Sequence, residues 1–277
     1  MKVIYEPKGR AREYAPLAVN LFTGCTHGCK YCYVPRILNK SYSEYIVFQK
    51  KDNILKDLEE DCKKYCCSKL YVQLSFVGDP YDAMDTEGIT REALKILLRY
   101  KIPVSILTKG GSRLLRDLDI FKKFGEHIIV GQSLTFISKE KSLKWEPNAA
   151  LPEERIDTFK ILKENGIRTW ASLEPTIDPE ESLELIKRTL PYVDYYKMGK
   201  VNHIGIENKI DWRWFAIRAI EILNANGKDF YIKKDLREAS GVEHLLTPRQ
   251  KDQDDMKVKP FPCEHCNKND NKDLLLF

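Results

Sequence analysis

Residues Gly24-Cys25-Thr26-His27-Gly28-Cys29-Lys30-Tyr31-Cys32-Tyr33-Val34-Pro35-Arg36 hold three of the chain's eight cysteines at the spacing Cys-x3-Cys-x2-Cys. Thiolates are soft metal ligands, and three of them in one glycine-flanked loop read as a metal site. Cys25, Cys29 and Cys32 suit a 4Fe–4S cubane. Such a cluster takes four protein ligands as a rule, so three leave one iron open to another molecule. A second reading recruits His27 as a fourth ligand and gives a closed, tetrahedral Cys3His zinc site of structural type. A third treats the cysteines as small buried hydrophobes.

The loop needs a rigid element to deliver it, and Ala18-Val19-Asn20-Leu21-Phe22 reads as a short buried strand. Downstream, strand and helix alternate. The pattern predicts strands at 70–76, 103–108, 127–134, 168–173, 192–198 and 230–233. It predicts helices from Asp52 or Asn53 to about Cys66, and over 90–100, 114–124, 152–165, 179–190 and 212–226. Gly125, Gly166 and Gly227 close helices and Pro179 opens one. Residues 1–17 read as a polar lead-in, and 37–51 carry no clear period. Seven alternations with short links argue for a parallel sheet with helices covering both of its faces. The glycine fingerprint of a dinucleotide fold is missing after the first strand, where cysteines stand instead. Polar groups recur at strand ends: Gly78-Asp79-Pro80-Tyr81, Thr108-Lys109-Gly110-Gly111, Gln132-Ser133, Leu173-Glu174-Pro175 and Lys197-Met198-Gly199-Lys200-Val201-Asn202. Chemistry collected at the C-terminal ends of successive strands is the mark of a barrel.

With these residues in view, the cysteine triplet and Tyr31 before its third member resemble the signature of radical S-adenosylmethionine enzymes. The further stretches Val77–Tyr81, Ile106–Lys109, Gln132-Ser133, Trp145-Glu146-Pro147 and Tyr195–Asn202 resemble the spore photoproduct lyase group, also labelled DNA repair photolyases. The resemblance spans roughly residues 18–205. It implies an α/β fold of the partial, open (β/α)6-type barrel. It also implies a 4Fe–4S cluster held by Cys25, Cys29 and Cys32, whose open iron takes the amino and carboxylate groups of S-adenosylmethionine. Reductive cleavage then yields a 5′-deoxyadenosyl radical that abstracts a substrate hydrogen. Carried over to this chain, Gly78 and Asp79 face the cofactor's amino group, Lys109 its carboxylate, and Ser133 its ribose or carboxylate. Tyr31 and Tyr33 pack against the adenine or screen the cluster. An Asp-Pro turn, a solvated lysine and ordinary aromatic packing are the plain alternatives for these positions. Glu146, Glu174, Lys197, Lys200 and Asn202 line the barrel interior, as substrate contacts or as a buried ion-pair set. One departure stands out: the lyase has a hydrogen-donating cysteine three residues before the aspartate, and here that residue is Phe76. The lyase's long N-terminal extension also has no counterpart.

The remaining bounds are broad. At 277 residues the divisions expected are a lead-in over 1–17, a barrel over 18–233 and an extension over 234–277. The net charge of +5 permits a nucleic-acid substrate without demanding one, and a peptide or small molecule is the alternative. Neither a signal-peptide core nor a spanning segment stands out, so the reading is a cytoplasmic chain with no membrane partner, its cysteines reduced. The resemblance implies an external one-electron reductant such as flavodoxin or ferredoxin. Cys62 and Cys66 continue the apolar stripe of Leu55 and Leu58. Cys263-Glu264-His265-Cys266 has half-site spacing for a metal, but too few partners for a second cluster; free thiols are expected there.

Overall fold

The computed structural model describes residues 2–256 and 258–262. The predicted alternation is realised in one eight-stranded sheet, built of β1 (Ile4–Tyr5), β2 (Leu17–Val19), β5 (Val72–Leu74), β6 (Val104–Thr108), β7 (Ile128–Ser133), β8 (Thr169–Thr176), β9 (Tyr195–Lys200) and β10 (Asp229–Ile232), in that spatial order. β2 and β5 through β10 run parallel, whereas β1 pairs antiparallel to β2 and forms one edge. β1 and β10 do not pair, so the barrel stays open. A two-stranded ribbon of β3 (Phe22–Thr23) and β4 (Gln49–Lys50) stands apart.

The connections are helical: α3 (Ile54–Lys64), α4 (Ile89–Arg99), α5 (Leu118–Phe124), α7 (Pro152–Glu164), α8 (Pro179–Thr189) and α9 (Trp212–Ala225). Two short helices, α1 (Val34–Ile37) and α2 (Tyr42–Tyr45), fill the stretch without a clear period; α6 (Lys139–Trp145) precedes α7, and α10 (Lys234–Ser240) and α11 (Pro248–Lys251) follow the last strand. Successive strand residues point to opposite faces. Val72, Leu74, Val104, Ile106, Val130, Leu173, Met198 and Ile232 join the helix-packed core. The other face forms a separate cluster of Tyr71, Ile129, Trp170, Tyr195 and Tyr231, the barrel interior. Trp170 occupies the space that Gly131 leaves empty and donates from Nε1 to the Ile106 carbonyl at 2.9 Å.

Two expectations need correcting. Residues 1–17 contribute β1 and send Glu13 and Tyr14 into the interior, because unpaired strand edges seek partners irrespective of a segment's polarity. α3 stops at Lys64, and Cys66 is exposed, whereas Cys62 is buried in the core as expected. The extension also takes part in the fold: Met256 and Val258 enter the interior cluster. Asp254 pairs with Arg12 at 2.6 Å, and Phe261 stacks on His127, just before β7, at 3.8 Å. This segment therefore closes the N-terminal end of the barrel and leaves chemistry to the other end. The Cys263–Cys266 pair lies outside the described residues.

Above that plug, Lys197 donates to the carbonyls of Glu13 at 2.7 Å and Tyr14 at 3.0 Å. Burial and the neighbouring Lys233 push its ammonium down to about 7, against the attraction of Asp254 and Glu13. An unfolded lysine keeps its proton to about pH 10.4, so between those values the unfolded chain binds more protons and stability rises with pH. Relative to Lys197→Met, the wild-type unfolding free energy should climb by about 1 kcal/mol per pH unit over that window. Parallel pH profiles in denaturant titrations would contradict this.

Candidate active site

The cysteine loop leaves β3 through Gly24, whose φ of +85° and contact with the Val47 carbonyl exclude a β-carbon. Its backbone is tied down from several sides. Cys25 N–H donates to the Tyr45 carbonyl at 3.1 Å, Lys30 N–H to the Trp145 carbonyl at 2.9 Å, and Asn148 N–H to the His27 carbonyl at 3.2 Å. Thr26 donates to Asp82 through its N–H at 2.7 Å and its hydroxyl at 2.6 Å, and the Tyr42 hydroxyl donates to the Gly28 carbonyl. The three thiols are free, with Cys29 buried and Cys25 and Cys32 half-buried. Burial raises all three, Cys29 to about 12, and Cys25 and Cys29 each feel the next thiol of the loop. Tyr45 is buried against Cys25 and Cys32.

Across the loop lies the turn after β5. A β-carbon at Gly78 would stand 2.9 Å from the Gly24 carbonyl oxygen, so the two backbones touch. Asp79 does not present a free carboxylate to a ligand. Its Oδ1 accepts from Tyr81 N–H at 2.8 Å and from the Thr108 hydroxyl, and its Oδ2 accepts from Lys109 N–H at 2.8 Å. The same Oδ2 faces His27 Nδ1 at 3.4 Å, while His27 Nε2 takes a bond from Arg113 at 2.7 Å. Those partners assign a neutral ring with its proton on Nδ1, and burial holds its pKa below the ordinary value, Arg113 opposing the pull of Asp79. With both nitrogens occupied, the Cys3His zinc reading loses its fourth ligand. Among the described residues, no three His, Cys, Asp or Glu side chains converge on one ion position.

A second buried group lies beside Cys29. Glu146 accepts from the Tyr31 hydroxyl and from Arg155 Nη2 at 2.6 Å. Arg155 also donates to the carbonyls of Ser133 at 2.9 Å and Ala150 at 2.8 Å. Lys109 lies over the Tyr31 ring at 5.5 Å. Burial works against its ammonium, but Cys29 and Glu146 outweigh that and hold its pKa above the ordinary value. Its Nζ has no carboxylate bonded to it among the described residues, and the Ser133 hydroxyl is likewise free. Tyr33 is 49% exposed at the rim.

The structure thus gathers the three thiols, Gly78, Lys109, Tyr31 and Ser133 at the C-terminal strand ends, with Asp79 beneath them as the brace of the turn. Glu174 pairs with Lys233 at 2.8 Å and accepts from the Tyr14 hydroxyl, a buried ion-pair set rather than an open contact. Sequence reasoning missed Arg155, Lys233 and Asn20. Asn20 Oδ1 accepts from Phe76 N–H at 2.7 Å and Val77 N–H at 3.2 Å, which fixes the approach to Gly78. An arginine in the first turn of α7 carries no signal of burial, since helix surfaces hold arginines everywhere. Asn20 directly follows β2, but in the sequence it sits inside an apolar run read as one strand, and its polarity there was the one visible hint.

Comparison with known proteins decides the family. Residues 19–193 match the Radical SAM superfamily. The uncharacterised protein MJ0683 of Methanocaldococcus jannaschii is 37% identical over 197 residues, 68% of this chain and 71% of that protein. The chain belongs to the radical SAM superfamily. The uncharacterised ORF301 protein of Acidianus two-tailed virus is 24% identical over 202 residues, 69% of this chain and 64% of its own length. Among solved structures, Streptococcus suis SuiB bound to S-adenosylmethionine matches with a TM-score of 0.61 at 16% identity, over 80% of this chain and 51% of SuiB. A spore photoproduct lyase variant matches with a TM-score of 0.62 at 11% identity, over 82% of this chain and 78% of the lyase. At those identities the likeness is one of fold. The chain spans about half the length of SuiB.

Membership makes the chain a radical SAM enzyme, and the superfamily's cofactors are a 4Fe–4S cluster and S-adenosylmethionine. The donor set fits that cluster. Three neighbouring thiols, held protonated by burial in the bare chain, are the kind a coordinating metal deprotonates. The loop that carries them is immobilised through its backbone and through Thr26, His27 and Tyr31, which leaves the thiols for ligation.

The Glu146–Arg155 pair gives this site its testable support. Removing one partner of a buried ion pair leaves an uncompensated charge and costs about 3–5 kcal/mol. Arg155→Met should lower the apo protein's unfolding free energy by that order, and Glu146→Gln in the same chain should recover part of it. Equal losses in the single and double variants, measured by denaturant titration, would sink the pairing argument.

Proposed function

We propose that Cys25, Cys29 and Cys32 hold the cluster and that the chain cleaves S-adenosylmethionine at the barrel mouth to act on a nucleic-acid substrate. The observation that carries this is a three-thiol loop locked against the Gly78 turn, with one ammonium, Lys109, beside it and free of carboxylate bonds. When bound, the cluster supplies the electron that splits the sulfonium into methionine and a 5′-deoxyadenosyl radical. This chain's residues do the rest. Backbone carbonyls at the Gly78 turn accept from the cofactor's amino group, and Lys109 favours its carboxylate. The Ser133 hydroxyl reaches its ribose or carboxylate. Tyr31, with its hydroxyl held by Glu146, and the rim residue Tyr33 wall the reacting atoms from water. The net charge of +5 and the lyase-like strand ends support the nucleic-acid reading. A peptide substrate is the second reading, favoured by the likeness to the structure of Streptococcus suis SuiB bound to precursor peptide SuiA, with a TM-score of 0.59.

Reconstituted, reduced protein should release 5′-deoxyadenosine and methionine, slowly even without substrate, as measured by chromatography. Alanine at Cys25, Cys29 or Cys32 should abolish release; full activity in any one of these variants would refute the ligand set. An oligonucleotide that accelerates release and receives or loses hydrogen in the process identifies the substrate class, and acceleration by peptides alone rejects it.

Phe76 sits edge-on to Tyr14 with ring centroids 6.2 Å apart and has no labile hydrogen. Reversal of a thymine photoproduct through a donor at this position is therefore not the reaction proposed. Photoproduct-containing DNA should remain unrepaired beyond the uncoupled rate of cofactor cleavage. Clean conversion to thymines by the wild-type enzyme would overturn that.

A further inference from the structure

The helical hairpin that follows the cysteine loop carries a surface that the proposed chemistry does not use. Ile37, Tyr42 and Val47 are 68%, 41% and 53% exposed, three large apolar side chains within eleven residues. Scattered exposed hydrophobes need no explanation, but a group on one hairpin marks a contact surface. Its charges have one sign. Lys30 and Arg36 are exposed and have no carboxylate partner among the described residues, and Lys40 makes a single 3.3 Å bond to Gln49. Glu44, the sole acid between Lys30 and Phe48, is turned onto Ser41 N–H at 2.7 Å and the Ser41 hydroxyl at 2.6 Å as a helix cap.

This hairpin also covers the loop. Tyr42 bonds the Gly28 carbonyl, Tyr45 lies against Cys25 and Cys32, and the Val47 backbone rests on Gly24. A basic, aliphatic surface beside the thiols proposed to hold the cluster fits a partner that is acidic, protein-like and brings an electron. Phosphates and stacked bases would gain nothing from Ile37 or Val47, and a second copy of the same basic face would repel it.

We propose that the α1–α2 hairpin is the docking face for an acidic one-electron carrier protein of the flavodoxin or ferredoxin class, an assignment that rests on the function proposed above. One electron leaves the reduced carrier and enters the cluster beneath; no proton or group passes between the proteins. Rim charges set the association rate, so carrier-driven turnover should fall with ionic strength.

The test compares two electron sources on the reconstituted enzyme, dithionite and reduced flavodoxin, in wild type, Arg36→Glu and Ile37→Asp. Flavodoxin-driven release of 5′-deoxyadenosine should fall about tenfold in each variant, while dithionite-driven release stays within the wild-type range. Unchanged flavodoxin-driven release overturns the assignment, as does an equal loss with both reductants. Titration with oxidised flavodoxin at low salt reads docking without turnover: Arg36→Glu should weaken binding about tenfold, and unchanged binding overturns the proposal. If wild type binds flavodoxin through Arg36 yet releases nothing with dithionite, the functional reading fails and the docking face stands. Loss of oligonucleotide binding in Arg36→Glu with flavodoxin binding intact assigns the face to nucleic acid and rejects the carrier.

Discussion

The Asp79 carboxylate joins the two halves of the site. Burying an ionised carboxylate costs several kcal/mol unless donors replace its water. Here the donors come from Tyr81, Thr108 and Lys109, with His27 facing the same group. Satisfying that one charge draws together the turn after β5, the end of β6 and the cysteine loop. His27 then passes the connection to Arg113, whose Nε donates to the Tyr81 carbonyl at 2.9 Å and closes a ring of bonds. The thiols are consequently positioned by a network in which none of them takes part.

Charge compensation organises the barrel interior in the same way. Glu174, Lys233, Glu13 and Lys197 lie beneath the mouth, and Tyr14 and Tyr231 cover their ammonium groups with aromatic faces. Tyr231 donates to Glu13 at 2.6 Å, tying β10 to the N-terminal segment. An open barrel has a gap between its edge strands that polar side chains must bridge or solvent will enter. The N-terminal segment supplies Glu13 and Tyr14 for this, and the C-terminal segment seals the far end with Met256 and Val258. Closure at one end leaves the strand C-termini as the face where a ligand can enter.

Glu146 and Arg155 perform a quieter task. By consuming each other they leave Lys109 as the cation beside Cys29 with no carboxylate bonded to it, so a positive field is preserved where an anion is proposed to bind. Among the described residues no helix is long and apolar enough to cross a membrane.

The sequence by itself carried the strand–helix alternation, because period-two and period-3.6 patterns report local burial directly. It also carried the cysteine loop, since ligand spacing within nine residues is a local property. The roles of Asp79, His27 and Glu146 were another matter. Asp79 read as a cofactor contact, and its carboxylate also braces the turn through Tyr81, Thr108 and Lys109; His27, a ligand only in the alternative zinc reading, lies between Asp79 and Arg113. Thr108 lies 29 residues from Asp79, Arg113 86 from His27 and Tyr31 115 from Glu146, and spacing says nothing about which side chains a barrel will bring face to face. The polar lead-in likewise gave no sign that Glu13 would meet Tyr231 across 218 residues. Burial of a charge is decided by tertiary closure, and only the folded barrel shows which charges it has paired and which it has left free.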